Sequence, residues 1–99
     1  MNQINEMQQN AKKAALMLKA LSHESRLLIL CLLTQGEMCV SDLKEYSDLS
    51  QSAFSQHLSV LRKEALVKVR KESQTVYYSI LDKNVEKILK VLYEIYCPQ

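Results

Sequence analysis

The amino-acid sequence predicts a mainly α-helical domain with one small β-hairpin, in the order α-α-α-α-β-β-α. Three observations carry this reading. Apolar residues recur at spacings of three and four along most of the chain, the period of a helix face. Alternation with period two appears only between Val67 and Ile80, where a pair of strands is expected. The chain also has one Gly and one Pro, a composition that suits helices joined by few tight turns.

Residues 5–21 read as a first helix, with Met7, Ala11, Ala14, Leu18 and Leu21 on one face. Ser22 is positioned to cap a second helix running to about Gln35, and its run from Leu27 to Leu33 places it in the core. Gly36 follows as the residue expected to take a positive φ at that helix's end. A short third helix is expected after Ser41, its cap, with Asp42 and Glu45 near the positive end of the helix dipole. Ser47-Asp48-Leu49 forms a turn, and Ser50 caps a fourth helix from Gln51 to about Glu64. Residues 41–64 therefore form a helix-turn-helix unit. Val67 and Val69, then Val76, Tyr78 and Ile80, mark two strands joined through Glu72-Ser73-Gln74. Without an Asn-Gly or Asp-Gly pair, a loose hairpin over about 67–80 is expected. Asp82 caps a last helix, about 82–97, with Val85, Ile88, Leu89, Leu92, Ile95 and Tyr96 along one stripe. The whole is a winged helix-turn-helix with an extra helix at each end.

The 99 residues make one domain, residues 1–99. A domain this small buries only about 60–70% of its unfolded surface, so association of subunits would supplement its stability. Apolar residues at 47% and charged residues at 24% describe a globular chain, not a disordered one. No apolar run approaches the roughly 20 residues that span a bilayer, and residues 1–10 carry no signal-peptide core. A cytoplasmic protein with no membrane partner is expected. Three cysteines, an odd number, do not suggest a secreted disulfide scaffold.

The net charge of +2 is small, but its distribution is uneven. Between Ser50 and Thr75 lie Arg62, Lys63, Lys68, Arg70 and Lys71 against only Glu64 and Glu72. Phe54, Leu58 and Leu61 turn one side of the fourth helix to the core. The other side shows Gln51, Ser52, Ser55, Gln56 and Ser59, then Arg62 and Lys63. Small hydroxyls and amides near a helix N-terminus can hydrogen-bond base edges in a major groove, while the basic residues beyond them reach phosphates. Arg70, Lys71 and Gln74 make a polar, positive wing beside that helix. His57 lies between the two faces, and either a phosphate contact or a bond within the fold would satisfy it. The expected partner is a double-stranded DNA operator, read by a homodimer; no cofactor or metal is expected.

Two segments carry a family resemblance. Ala20-Leu21-Ser22-His23-Glu24-Ser25-Arg26-Leu27-Leu28-Ile29-Leu30 resembles the opening of the second helix of ArsR/SmtB-type regulators. Leu49-Ser50-Gln51-Ser52-Ala53-Phe54-Ser55-Gln56-His57-Leu58-Ser59-Val60-Leu61 is similar to their recognition segment. The resemblance implies dimerisation through the first and last helices, and a repressor released from its operator by an inducer. It also narrows the subtype. The Cys-x-Cys of the thiophilic-metal members is incomplete at Cys39-Val40-Ser41, and residues 82–96 have no histidine for a zinc site. Cys31 and Cys97 instead resemble the thiol pair of the BigR/SqrR/HlyU-like branch, which implies a dithiol that reacts with persulfides and becomes bridged by sulfur.

Read from the residues alone, Cys31 in an apolar helix suits packing as well as chemistry, and nothing local activates either thiol. Other readings use the same residues differently. A metal-responsive regulator would draw on Cys39, Cys31 or His23, and a non-inducible regulator of the same fold would keep its regulation without Cys31 and Cys97. A protein-binding winged helix would show no salt-dependent affinity for DNA. A thiol enzyme pairing Cys31 with His23 or His57 would need an oxyanion hole and a substrate cleft, and no motif for either is present, so no enzymatic activity is expected.

Overall fold

The computed structural model describes residues 2–97. Eight elements follow one another: α1 (Asn2–Leu21), α2 (Glu24–Leu33), β1 (Met38–Cys39), α3 (Val40–Glu45), α4 (Gln51–Lys63), β2 (Val67–Glu72), β3 (Thr75–Ile80) and α5 (Lys83–Tyr96). The expected order and fold class are present, with one addition. β1 is a two-residue strand that pairs antiparallel with β3, Met38 opposite Tyr78 and Cys39 opposite Tyr77, so the sheet has the order β1-β3-β2. A strand of two residues shows no period of its own and left no mark in the sequence pattern.

The core forms where each apolar stripe turns inward. Phe54, Leu58 and Leu61 of α4 meet Ile29, Leu30 and Leu33 of α2 and Leu43 of α3, with Val67 and Tyr78 from the sheet and Val85 and Leu89 from α5. Phe54, Ile29, Leu30, Leu43, Leu61 and Val85 are fully buried. α2 is less enclosed than its composition suggests, because Leu28 and Cys31 reach the surface.

The caps are partly those expected. Ser50 accepts a hydrogen bond from the Ala53 amide at 3.2 Å, and Asp82 accepts one from the Asn84 amide at 2.9 Å. For α2 the cap is His23 instead of Ser22: its Nδ1 accepts from the Ser25 amide at 3.0 Å. α3 begins one residue before Ser41, at Val40 after Cys39, and has no side-chain cap. Ser50→Ala is expected to lower stability by about 1 kcal/mol, measured as a lower midpoint in urea with an unchanged slope.

Two backbone positions shape the connection from α4 to the wing. α4 closes with the Leu66 amide bonded to the Leu61 carbonyl at 3.0 Å and the Ala65 amide to the Arg62 carbonyl at 2.9 Å. This is a Schellman closure, with buried Leu66 packed over buried Leu61, but Ala65 occupies its left-handed position at φ 58° where glycine is usual. The hairpin is tighter than expected. Glu72 and Thr75 still pair, leaving a two-residue turn that Ser73 makes possible by adopting φ 57°.

Two helix faces remain uncovered. On α1, Ile4, Met7 and Leu18 are exposed on one side; on α5, Val91 and Ile95 are exposed beside a shallow apolar recess bordered by Ile88 and Leu92. Among the described residues no helix is long and apolar enough to cross a membrane.

Candidate nucleic-acid interface and thiol pair

α4 and the wing enclose an open groove of about 810 Å³. Gln51, Ser55, Ser59 and Arg62 line its helix side, at spacings of four, four and three that keep them on one strip. Lys71 and Gln74 line the wing side. Ser52, Gln56 and Lys63 are exposed on the adjoining strip of α4. The floor and far wall include Ser41 and Lys44 of α3 and Thr75 of β3, which periodicity alone did not single out because they come from other elements. Hydroxyls, amides and three ammonium or guanidinium groups thus converge where a duplex edge can enter, the set that base edges and phosphates require.

Arg70, expected on the wing beside this helix, points away from the groove, and His57, placed between the two faces of α4, bonds within the fold. Strand alternation sends Lys71 to the helix side of the wing, with Val67 and Val69, and Arg70 to the opposite side. There the Arg70 guanidinium bonds Glu37 through two nitrogens, at 3.0 and 2.7 Å, and Glu72 at 2.6 Å, while stacking 4.5 Å over the Tyr77 ring. The two carboxylates push its pKa up and compensate its charge. The same bonds hold the Glu37 carboxyl below its ordinary range. His57, half-buried, lies on the flank of α4 turned away from Ser55 and Ser59, with Arg26 Nη1 3.1 Å from its Nδ1 and the His23 ring 4.1 Å away.

Cys31 and Cys97 are both exposed free thiols on the boundary between α2 and α5. A cavity of about 490 Å³ separates the two helices there, lined by Cys31, Thr34 and Gln35 from α2 and by Glu86, Leu89, Lys90 and Tyr93 from α5. Glu86, Lys90 and Tyr93 follow spacings of four and three, and a further four residues reach Cys97, which caps the end of α5. Partial burial first, and then the Coulombic effect of Cys97, push the Cys31 thiol up from its ordinary value. Cys39 is half-buried in the groove wall, its Sγ 3.4 Å from the Ser41 hydroxyl. Among the described residues, no three His, Cys, Asp or Glu side chains gather as a metal site would require.

Comparison with known proteins agrees with this architecture. Residues 23–69 match the profile described as bacterial regulatory protein, arsR family. The chain is 45% identical over 94 residues to the transcriptional activator HlyU of Vibrio cholerae, covering 95% of this chain and 87% of that protein. It is 35% identical over 91 residues to the biofilm growth-associated repressor of Agrobacterium fabrum, covering 92% of this chain and 78% of that protein. Among solved structures, reduced HlyU from Vibrio cholerae is similar with a TM-score of 0.88 at 46% identity, covering 93% of this chain and 97% of that one. The transcriptional repressor BigR from Xylella fastidiosa is similar with a TM-score of 0.87 at 33% identity, covering 96% and 97%. With a helix-turn-helix, a wing and likeness along nearly its whole length, the chain belongs to the arsR family of bacterial regulatory proteins, which are DNA-binding transcriptional regulators.

Proposed function

We propose that this protein is a dimeric, cytoplasmic repressor whose affinity for its operator falls when Cys31 and Cys97 react with persulfides. The reading is supported by two exposed thiols, Cys31 on α2 and Cys97 at the end of α5, with Cys97 raising the Cys31 pKa and neither residue on the helix whose side chains line the groove. Gln51, Ser52, Ser55, Gln56 and Ser59 read bases, and Arg62, Lys63, Lys71 and Gln74 hold phosphates. Arg70 supports the wing from behind through Glu37 and does not reach the duplex. The uncovered faces of α1 and α5 pair with those of a second copy.

The chemistry balances without an added oxidant. A protein thiolate attacks the outer sulfur of a persulfide RSSH, forming Cys–SSH and releasing RS⁻. The second thiolate then attacks the inner sulfur, closing a disulfide and expelling HS⁻; if both cysteines are first persulfidated, the same displacement closes a trisulfide. A bridge between α2 and α5 restricts their relative motion, and α2 packs directly on α4. Two copies of α4 must enter major grooves about 34 Å apart, so a small rotation weakens both contacts together. A bridge that fits only the rotated state shifts the population toward it.

Anisotropy with a duplex from the protein's own upstream region, combined with intact-mass measurement, tests this. Persulfide is expected to weaken wild-type binding at least about tenfold, about 1.4 kcal/mol, with sulfur added between the two cysteines. Cys31→Ser and Cys97→Ser should keep binding under the same treatment. Tight wild-type binding that persists after the bridge forms would sink the proposal. Because the Cys31 thiol is pushed up, its alkylation should be slower at neutral pH than that of an ordinary thiol and accelerate as pH rises.

A further inference from the structure

We propose that Arg26 and His57 are a positioning pair that ties α4 to the end of α1, and that acid releases the tie and weakens DNA binding. The inference rests on α4 being the DNA-reading helix and is independent of the thiols.

One guanidinium joins three elements. Arg26, near the start of α2, donates from Nε to the Ala20 carbonyl and from Nη2 to the Lys19 carbonyl at 3.3 Å. These are oxygens of the last turn of α1, which lack partners within their own helix and favour a cation. Its remaining arm, Nη1, lies 3.1 Å from Nδ1 of His57 on α4. A guanidinium only donates, so Nδ1 accepts and carries no proton, and the neutral ring holds its proton on Nε2. The neighbouring ring of His23 lies 4.1 Å away, tilted by 42°, and its own Nδ1 is occupied in capping α2.

Protonating His57 turns this arrangement against itself. Nδ1 would become a donor facing a donor, the bond to Arg26 would be lost, and two cations would stand at hydrogen-bond distance. The charged and titratable groups facing His57 are Arg26 of α2 and its cap His23; α1 brings the Lys19 and Ala20 carbonyls that Arg26 holds, the Lys19 oxygen also accepting from Ser22. Burial first, then His23 and Arg26, lower its pKa from 6.5. The neutral form is therefore the folded form. Its contribution to stability is complete above pH 6.5 and is lost as pH falls through the lower value that His57 has in the fold. Since His57 faces away from Ser55 and Ser59, the new charge does not offset this by meeting phosphate. The chain has only two histidines, and both lie here. A titration of DNA binding between about pH 5 and 7 therefore belongs to this cluster.

The test is operator binding by the full reduced chain from pH 7.5 to 5.0 at fixed ionic strength. Wild-type affinity is expected to fall, by up to about tenfold for each unit that separates the released from the tied value. In His57→Asn the amide oxygen can accept from Arg26 and does not titrate, so affinity should match wild type at pH 7.5 and stay flat. His23→Asn, which keeps a cap, should retain the acid loss. An acid loss equal to wild type in His57→Asn, or none in wild type, overturns the pair. Should His57→Asn fail to fold, nitrogen NMR of wild-type imidazoles decides: an Nε2–H tautomer titrating below 6.5 is expected, and an Nδ1–H tautomer or a midpoint above 6.5 overturns the proposal. Absence of DNA binding at every pH would instead sink the reading of α4, and the NMR result would still judge the tie.

Discussion

Phe54→Ala is expected to destabilise the domain by about 3–5 kcal/mol, the usual cost of emptying a fully buried aromatic site. Phe54 is 1% exposed and sits in the first turn of α4, where it packs into the core shared by α2 and α3. The helix cannot slide to fill the space, because Ser50 anchors one end and the Schellman closure at Leu61–Leu66 the other. Domains of this size have about 5–15 kcal/mol in total, so the variant should melt at much lower temperature and be partly unfolded at 37 °C. Circular dichroism during a urea titration, at fixed protein concentration because the proposed dimer would make the midpoint depend on it, measures the loss. Gln56→Ala, two residues along on the exposed side, should stay within about 0.5 kcal/mol of wild type. Similar losses for both would mean that α4 is not seated as described.

Ile95→Glu is expected to separate the dimer and reduce operator affinity by about 10²–10⁴-fold. Ile95 is 59% exposed and shares an apolar strip of α5 with Val91, on a flank different from the one bearing Lys90 and Cys97. A carboxylate there would be desolvated on association, several times over the benefit that one apolar contact supplies. The isolated domain should be untouched, since Val85 and Leu89 hold α5 to the core and Ile95 does not enter it. Light scattering gives the mass and anisotropy the affinity. A variant that remains dimeric at micromolar concentration would move the interface away from α5.

What was legible in the sequence was local. The stripe of α5, the Ser50 and Asp82 caps and the two sides of α4 follow from neighbours within a turn or two, where period and capping chemistry act. The features that the pattern does not show depend on partners far along the chain. Arg70 meets Glu37 33 residues away, and Arg26 meets His57 across 31. Neither spacing has a period, so the pattern shows neither the Glu37 bonds of Arg70 nor which of the two bonds open to His57 it makes. His23 replaced Ser22 as a cap because α2 starts one residue later than its pattern suggested. The pairing of Cys31 with Cys97 likewise has no period, and it is implied by resemblance alone.

Ala65 at φ 58° has a mechanical consequence. A glycine at that junction would leave the chain free to swivel between α4 and β2; an alanine pays about 1 kcal/mol for the same bend but has far fewer alternatives. The bend between α4 and the wing is thus stiffer than glycine would make it. In the proposed dimer, a change at α2 or α5 then favours swinging α4 and the wing together, which a duplex would feel as misalignment between the two copies and not as a loosened grip in either one.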